Sequence, residues 1–338
     1  MDVKILSRKD LEQVLEMSSV IEGVRSVYRL KAAGETEVWP LVAYDFTDQG
    51  AVMDIRSGAV LGGEQLHGLK MLNNFPRNRE KGLPTFTGML MVFDSTTGLP
   101  LGVMDASYVT GMRTGAAGAV AAAALAREDS RVLTVLGAGK QAMFQIAAAT
   151  ITMPGIRTVY VADQLDKDNE RAFAAACQER LEWDFGLRPD GVEFLPAGDL
   201  AQAVGKSDVI ITITPSRAPV IQKEWVKPGT HFSCIGADME GKEEIDPELF
   251  RGARIFADDA DQYARVGEME IPLKTGVITR EQVAGEIGQV LSGLIPGRTS
   301  REEITIFDAT GLALLDLVTG KRAIEAAREK GIGLTADI

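Results

Sequence analysis

Apolar residues follow two spacings along this chain, and the change from one to the other marks its elements. After Ser7, the positions Leu11, Val14, Leu15, Val20, Ile21, Val24, Val27, Tyr28 and Leu30 recur at threes and fours. That pattern predicts an amphipathic helical region capped at Ser7 and broken near Ser18 and Ser19. Residues 37–44, 50–56, 67–72 and 85–94 are short strand-like segments separated by turn residues and predict a small sheet. A hairpin turn at 94–98 leads back into strand at 102–105. Residues 109–126 are then almost all alanine, glycine, threonine and valine, which predicts a helix that packs at short range.

From residue 131 the pattern becomes a regular alternation. Strands are expected at 131–136, 158–162, 192–195, 208–214, 230–236, 253–257 and 303–308, and helices at 141–150, 169–181, 199–204, 281–291 and 311–330. Near-continuous apolar strands between helices are the mark of a parallel sheet covered on both faces, so this part reads as a doubly wound α/β domain of the Rossmann type. The last helix is expected to return to the first domain.

The strand at 131–136 runs into Gly137-Ala138-Gly139-Lys140-Gln141-Ala142, a Gly-x-Gly-x-x-Ala turn that opens a helix. Gly137 suits the tight turn, Gly139 lets backbone N–H groups approach a pyrophosphate, and Ala142 lets helix and strand pack closely. Asp163 ends the next strand, 26 residues beyond Gly137. An acid there accepts the adenosine ribose hydroxyls and repels a 2′-phosphate, so the expected cofactor is NAD rather than NADP.

Composition narrows the function classes. The 338 residues are 45 % hydrophobic and 25 % charged, with a formal charge of −12, which disfavours a nucleic-acid partner or an anionic membrane surface. Two cysteines, Cys177 and Cys234, and two histidines, His67 and His231, are too few and too scattered for a zinc site or a disulfide framework, so no metal is expected. No apolar run reaches 18 residues and the first residues do not read as a signal peptide, so a cytoplasmic location is expected.

Outside the fingerprint, charge stands beside apolar strands and turns at Asp54, Arg56, Lys70, Arg113, Asp238 and Lys242. Together with Asn78-Arg-Glu-Lys-Gly-Leu-Pro84, Thr110-Gly-Met-Arg113-Thr-Gly-Ala-Ala, Thr214-Pro215-Ser216, Gly236-Ala-Asp238 and Gly297-Arg-Thr-Ser, these segments resemble the ornithine cyclodeaminase/μ-crystallin family. The resemblance implies a homodimer of two-domain subunits: residues 1–125 and 312–338 would form a substrate-binding and dimerisation domain, and residues 126–311 the NAD-binding domain. It implies a nicotinamide cofactor between them, held by Thr114, Gly137, Ala138, Gly139, Lys140, Gln141, Asp163, Thr214, Pro215, Ser216 and Gly236. Lys70 and Arg113 would hold the substrate α-carboxylate. Asp238 would act as acid/base, with Lys242 nearby, and Asp54 would face a distal ammonium. The arginine that the family carries in the strand before Asp54 is absent, and Arg56 stands close enough to replace it.

The chemistry implied is oxidoreduction at an α-amino or α-imino carbon, with a small amino acid as the partner molecule. Hydride leaves Cα only from a neutral amine, so a base must first take the ammonium proton, and Asp238 is expected to do so with its pKa raised by burial. Two carboxylates at Asp54 and Asp238 lean the reading toward conversion of ornithine to proline and ammonia. Alanine dehydrogenation, imine reduction and, outside catalysis, a μ-crystallin-like nicotinamide-binding role are the alternatives.

Overall fold

The structure is a computed structural model and describes residues 2–337, which divide into two compact units. The first contains the chain through Arg113 and again from Leu312, and the second runs from Thr114 to Gly311.

The first unit is built on an eight-stranded sheet, larger than the small sheet expected. Its order is Leu334–Asp337, Asp2–Leu6, Pro100–Asp105, Phe86–Asp94, Leu66–Asn74, Ala51–Val60 and Thr36–Val38, with Val42–Phe46 also paired to Ala51–Val60. All its pairs are antiparallel except Asp2–Leu6 with Pro100–Asp105. Two strands at one side of the sheet, Asp2–Leu6 and the edge strand Leu334–Asp337, were not expected from the sequence, because each is too short to declare a period. Ser7 does cap the first helix, in a reciprocal capping box with Asp10. The break that follows lies at Leu15 and Glu16, between Arg8–Val14 and Met17–Ala32, rather than at Ser18 and Ser19.

The helix Ala313–Lys330 belongs to this unit, as expected, and is buried from Ala313 to Gly320. Only close backbone approach permits that burial: Gly68 of the sheet has Leu317 Cδ2 at 2.8 Å from where a Cβ would stand.

The second unit carries an eight-stranded sheet in which every pair is parallel. The order is Glu193–Pro196, Thr158–Ala162, Val132–Leu136, Val209–Thr212, His231–Cys234, Thr305–Asp308, Arg254–Ala257 and Val283–Glu286. Sequence order reverses between Val132–Leu136 and Val209–Thr212, so the carboxyl ends of these two strands flank a topological switch point, where open α/β sheets bind their ligands. The core around Ile210, Phe232, Ile255 and Ile306 is fully buried. His231 is fully buried on the opposite face of this sheet from Phe232, hydrogen-bonded to Thr305 and Ser233, and burial pushes its imidazole down to about 3. It is a structural, uncharged histidine.

Two expectations need correction. The run 281–291 is not one helix: a short turn at Arg280–Gln282 precedes the edge strand Val283–Glu286 and the short helix Ile287–Leu291. Gly285, at φ +147°, breaks the helical register. The unit boundary lies at Arg113/Thr114 rather than at 125/126, inside the helix Ala106–Leu125. The residues after it pack with the second unit, where a Cβ on Gly115 would stand 2.4 Å from the carbonyl oxygen of Phe144. Among the described residues no helix is long and apolar enough to cross a membrane.

Candidate active site

In the second unit the glycine turn stands at the switch point. Gly137 adopts φ +117°, a conformation that side chains oppose, and a Cβ there would meet the carbonyl oxygen of Ile213 at 2.8 Å. Its N–H donates to the carbonyl of Ala162 at 2.8 Å, which brings Asp163 beside the turn. Gly139 has open space where a side chain would be. The helix Ala142–Thr152 then starts without a side-chain cap from its N-cap residue, Gln141. Two buried polar atoms, Thr114 Oγ1 and Gln141 Oε1, have no hydrogen-bond partner among the described residues. An open glycine, an uncapped helix N-terminus and the Thr114 hydroxyl, a donor without a partner among the described residues, fit a dinucleotide phosphate group.

Asp163 is half-buried and well supported. One carboxylate oxygen accepts from the N–H groups of Leu165 and Asp166, and the other accepts from Asn169 Nδ2 at 2.8 Å. Partial burial opposes ionisation, but the Asn169, Leu165 and Asp166 donors prevail and hold this carboxyl below its ordinary range. Asn169 also donates to the carbonyl of Ala138 at 3.3 Å, tying acid and glycine turn together. Sequence reading passed over Asn169, whose only signal was its place in the first turn of the helix after the acid.

Asp238 is exposed, not buried, with Lys242 Nζ 2.5 Å from its Oδ1. The expectation that burial tunes it is therefore corrected: within this unit an ammonium, not a desolvated pocket, is its neighbour. The turns on either side are held by buried carboxyls. Glu244 accepts from the N–H groups of Thr214 at 2.6 Å and Gly236 at 3.1 Å. Glu268 accepts from Glu244 and Ile245, both at 2.7 Å, and Asp308 accepts from Met269 at 2.9 Å. All three are fully buried. Burial pushes Glu244 up to about 7 and Asp308 up to about 8, and it raises Glu268 well above the carboxylate range with the charge of Glu244 adding to the shift. Pro215 and Ser216 follow Thr214 on its turn, where Ser216 Oγ donates to the carbonyl of Ala218 at 2.7 Å, and Lys140 lies on the glycine turn.

In the first unit the sheet gathers the remaining charges. Arg56 and Lys70 are direct cross-strand partners, and Asp54 shares their face two residues before Arg56, 3.9 Å from it. Lys70 has no solvent-accessible surface. Its ammonium donates to Asp316 Oδ2 at 2.8 Å and to Thr110 Oγ1 at 3.3 Å, while Arg113 Nε lies 3.2 Å from Asp316 Oδ1. Burial pushes Lys70 down to about 8; Asp316 resists the shift, and the charges of Arg113 and Arg56 add to it. The structure thus brings Lys70 and Arg113 onto an acid not singled out from the sequence, Asp316, with Arg56 and Asp54 beside Lys70 on the neighbouring strand. Asp316 did carry a signal: a single charge within Leu314-Leu315-Asp316-Leu317-Val318 must find a partner if that helix is buried.

The model of the ornithine cyclodeaminase/mu-crystallin family matches residues 1–331. The chain belongs to this family. It is 39 % identical over 334 residues to the alanine dehydrogenase of Archaeoglobus fulgidus, a match covering 98 % of each chain. Its fold superposes on an archaeal alanine dehydrogenase dimer with bound NAD at a TM-score of 0.90 and 36 % identity, over the whole of both chains. It superposes equally on the Thermococcus litoralis Δ1-pyrroline-2-carboxylate reductase in complex with NADH and L-proline, at a TM-score of 0.90, 30 % identity and 99 % and 100 % coverage. These family members hold NAD or NADH in the same fold.

Proposed function

We propose that this family member is an NAD(H)-dependent oxidoreductase acting at the α-amino or α-imino carbon of an amino acid that carries a single carboxylate, as an amino-acid dehydrogenase or imine reductase. The charge balance of the first unit carries the reading. Arg56, Lys70 and Arg113 face Asp54 and Asp316, which leaves one net positive charge, the complement of one carboxylate. The relatives that act on alanine and on pyrroline-2-carboxylate, by their names, have substrates of that kind.

The residues divide the work by exposure. Arg113 retains slight exposure and is the cation that touches the carboxylate, while sealed Lys70 adds its charge from behind. Asp238 and Lys242 form the proton-holding pair, taking the ammonium proton in oxidation and returning it in reduction. Gly137, Gly139, the helix N-terminus and Thr114 hold the dinucleotide, and Asp163 selects NAD over NADP. A bound nicotinamide supplies or accepts the hydride at Cα.

Ornithine cyclodeamination is the second reading, favoured by Asp54, whose partly exposed carboxylate could hold a distal ammonium. A panel of alanine, ornithine, pyruvate with ammonia, and a cyclic imino acid, followed by NADH absorbance and product analysis, separates the readings. Stoichiometric NADH from alanine, or its consumption with an imino acid, supports the first. Proline and ammonia from ornithine without net NADH replaces it with the second, and NAD(H) binding with no turnover leaves the non-catalytic role.

The assembly we propose is a homodimer through the first unit. Leu41, Val42 and Tyr44, at 58 %, 54 % and 58 % exposure, form an apolar edge too large to leave in water. Light scattering on the unaltered protein and on Val42→Asp tests it, with a monomer expected for the variant.

A further inference from the structure

Asp316 divides its two oxygens between two cations. Oδ2 takes the ammonium of Lys70 at 2.8 Å and Oδ1 takes Nε of Arg113 at 3.2 Å. The carboxylate itself has no accessible surface, so it does not touch a substrate. Its place in the first turn of Ala313–Lys330 sets it where the helix end favours negative charge. Arg113 has no other hydrogen-bond acceptor among the described residues. Held by Nε, the guanidinium keeps its Nη1–Nη2 edge for a second, bidentate carboxylate. We propose that Asp316 is a positioning residue for the carboxylate site: it fixes Lys70 as a buried cation and turns the free edge of Arg113 to the substrate. This rests on the function proposed above.

The groups facing Asp316 make the claim testable by charge. Lys70 from the sheet and Arg113 from the helix Ala106–Leu125 contact Asp316 directly, while Arg56 lies opposite Lys70 on the neighbouring strand with Asp54 3.9 Å from it. Lys70, pushed down to about 8, keeps its charge at neutral pH because Asp316 is there. A carboxylate ligand should therefore bind more weakly as pH rises through about 8.

The double variant Lys70→Met/Asp316→Asn removes one charge of each sign, so the site keeps its net single positive charge and no buried ion loses its partner at Lys70. In Asp316→Asn alone the site gains net positive charge, so a loss of affinity there reports the positioning of the two cations rather than a loss of charge. The measurement is calorimetric binding of sodium pyruvate to the protein–NADH complex between pH 6 and 9, for the unaltered protein, Asp316→Asn, Asp316→Glu and the double variant. The expected result is at least tenfold weaker pyruvate binding in Asp316→Asn and in the double variant, with NADH affinity within threefold of normal. The weakening near pH 8 should move to lower pH in Asp316→Asn and vanish in the double variant, and Asp316→Glu should restore part of the affinity. Unchanged pyruvate binding in the double variant overturns the proposal. Tighter binding in Asp316→Asn also overturns it, since Asp316 would then merely compete with the ligand. Failure of pyruvate to bind the unaltered protein at all overturns it with the carboxylate site itself, whereas absence of turnover alone counts only against the proposed function.

Discussion

Asp308→Asn is expected to make the protein more stable by a margin that widens as pH rises from about 4 to about 8. Asp308 is fully buried at the end of Thr305–Asp308, its Oδ2 accepts from the N–H of Met269, and its Oδ1 has no partner among the described residues. Burial pushes its pKa from 3.8 up to about 8, with the charges of Asp258 and Glu244 adding to the shift. The folded state therefore holds a proton that the unfolded chain has released. The stability tied to that proton is complete below pH 3.8 and is lost as pH rises to about 8. At 1.36 kcal/mol per unit, the rise of about four units bounds the loss at about 6 kcal/mol. Shared protons among Asp308, Glu244 and Glu268 reduce what one substitution recovers to about 2 to 4 kcal/mol. Asparagine has the same shape, still accepts from Met269 and never ionises. Urea unfolding followed by circular dichroism at pH 5.5, 7 and 9 measures the difference. Parallel stability curves for the two proteins, or an asparagine variant weaker at pH 9 than the parent, would falsify the reasoning.

Three other substitutions test separate links. Gly137→Ala should abolish measurable NAD binding, because a Cβ at φ +117° meets Ile213 2.8 Å away; equilibrium dialysis with NAD reads it, and retained affinity refutes the role of the turn. Asp163→Ser should narrow the preference for NAD over NADP by about 1 to 3 kcal/mol, the scale of a charge-assisted hydrogen bond, as read from the two dissociation constants. Equal affinity of the parent for both cofactors sinks that idea. Arg113→Met should cut kcat/KM about a hundredfold or more with NAD affinity nearly unchanged, since breaking a buried ion cluster costs about 3 to 5 kcal/mol; normal kinetics would make Arg113 a structural cation.

What the sequence determined by itself was everything carried by local chemistry. The turn at Gly137 was legible because only glycine tolerates its dihedral, Ser7 because a cap and its return partner lie three residues apart, and the parallel sheet because strands buried on both faces are apolar throughout. The family segments marked Lys70, Arg113 and Asp238 as chemistry. The tertiary structure alone decided which charges meet. Asp316 stands 246 residues from Lys70 in the chain, and no spacing rule connects them. It also decided solvation: Asp238 is exposed while Glu244, Glu268 and Asp308 are sealed. An acid reads the same in sequence whether water or a neighbouring carboxyl surrounds it, so desolvation, the largest influence on its proton, appears only once the chain has packed.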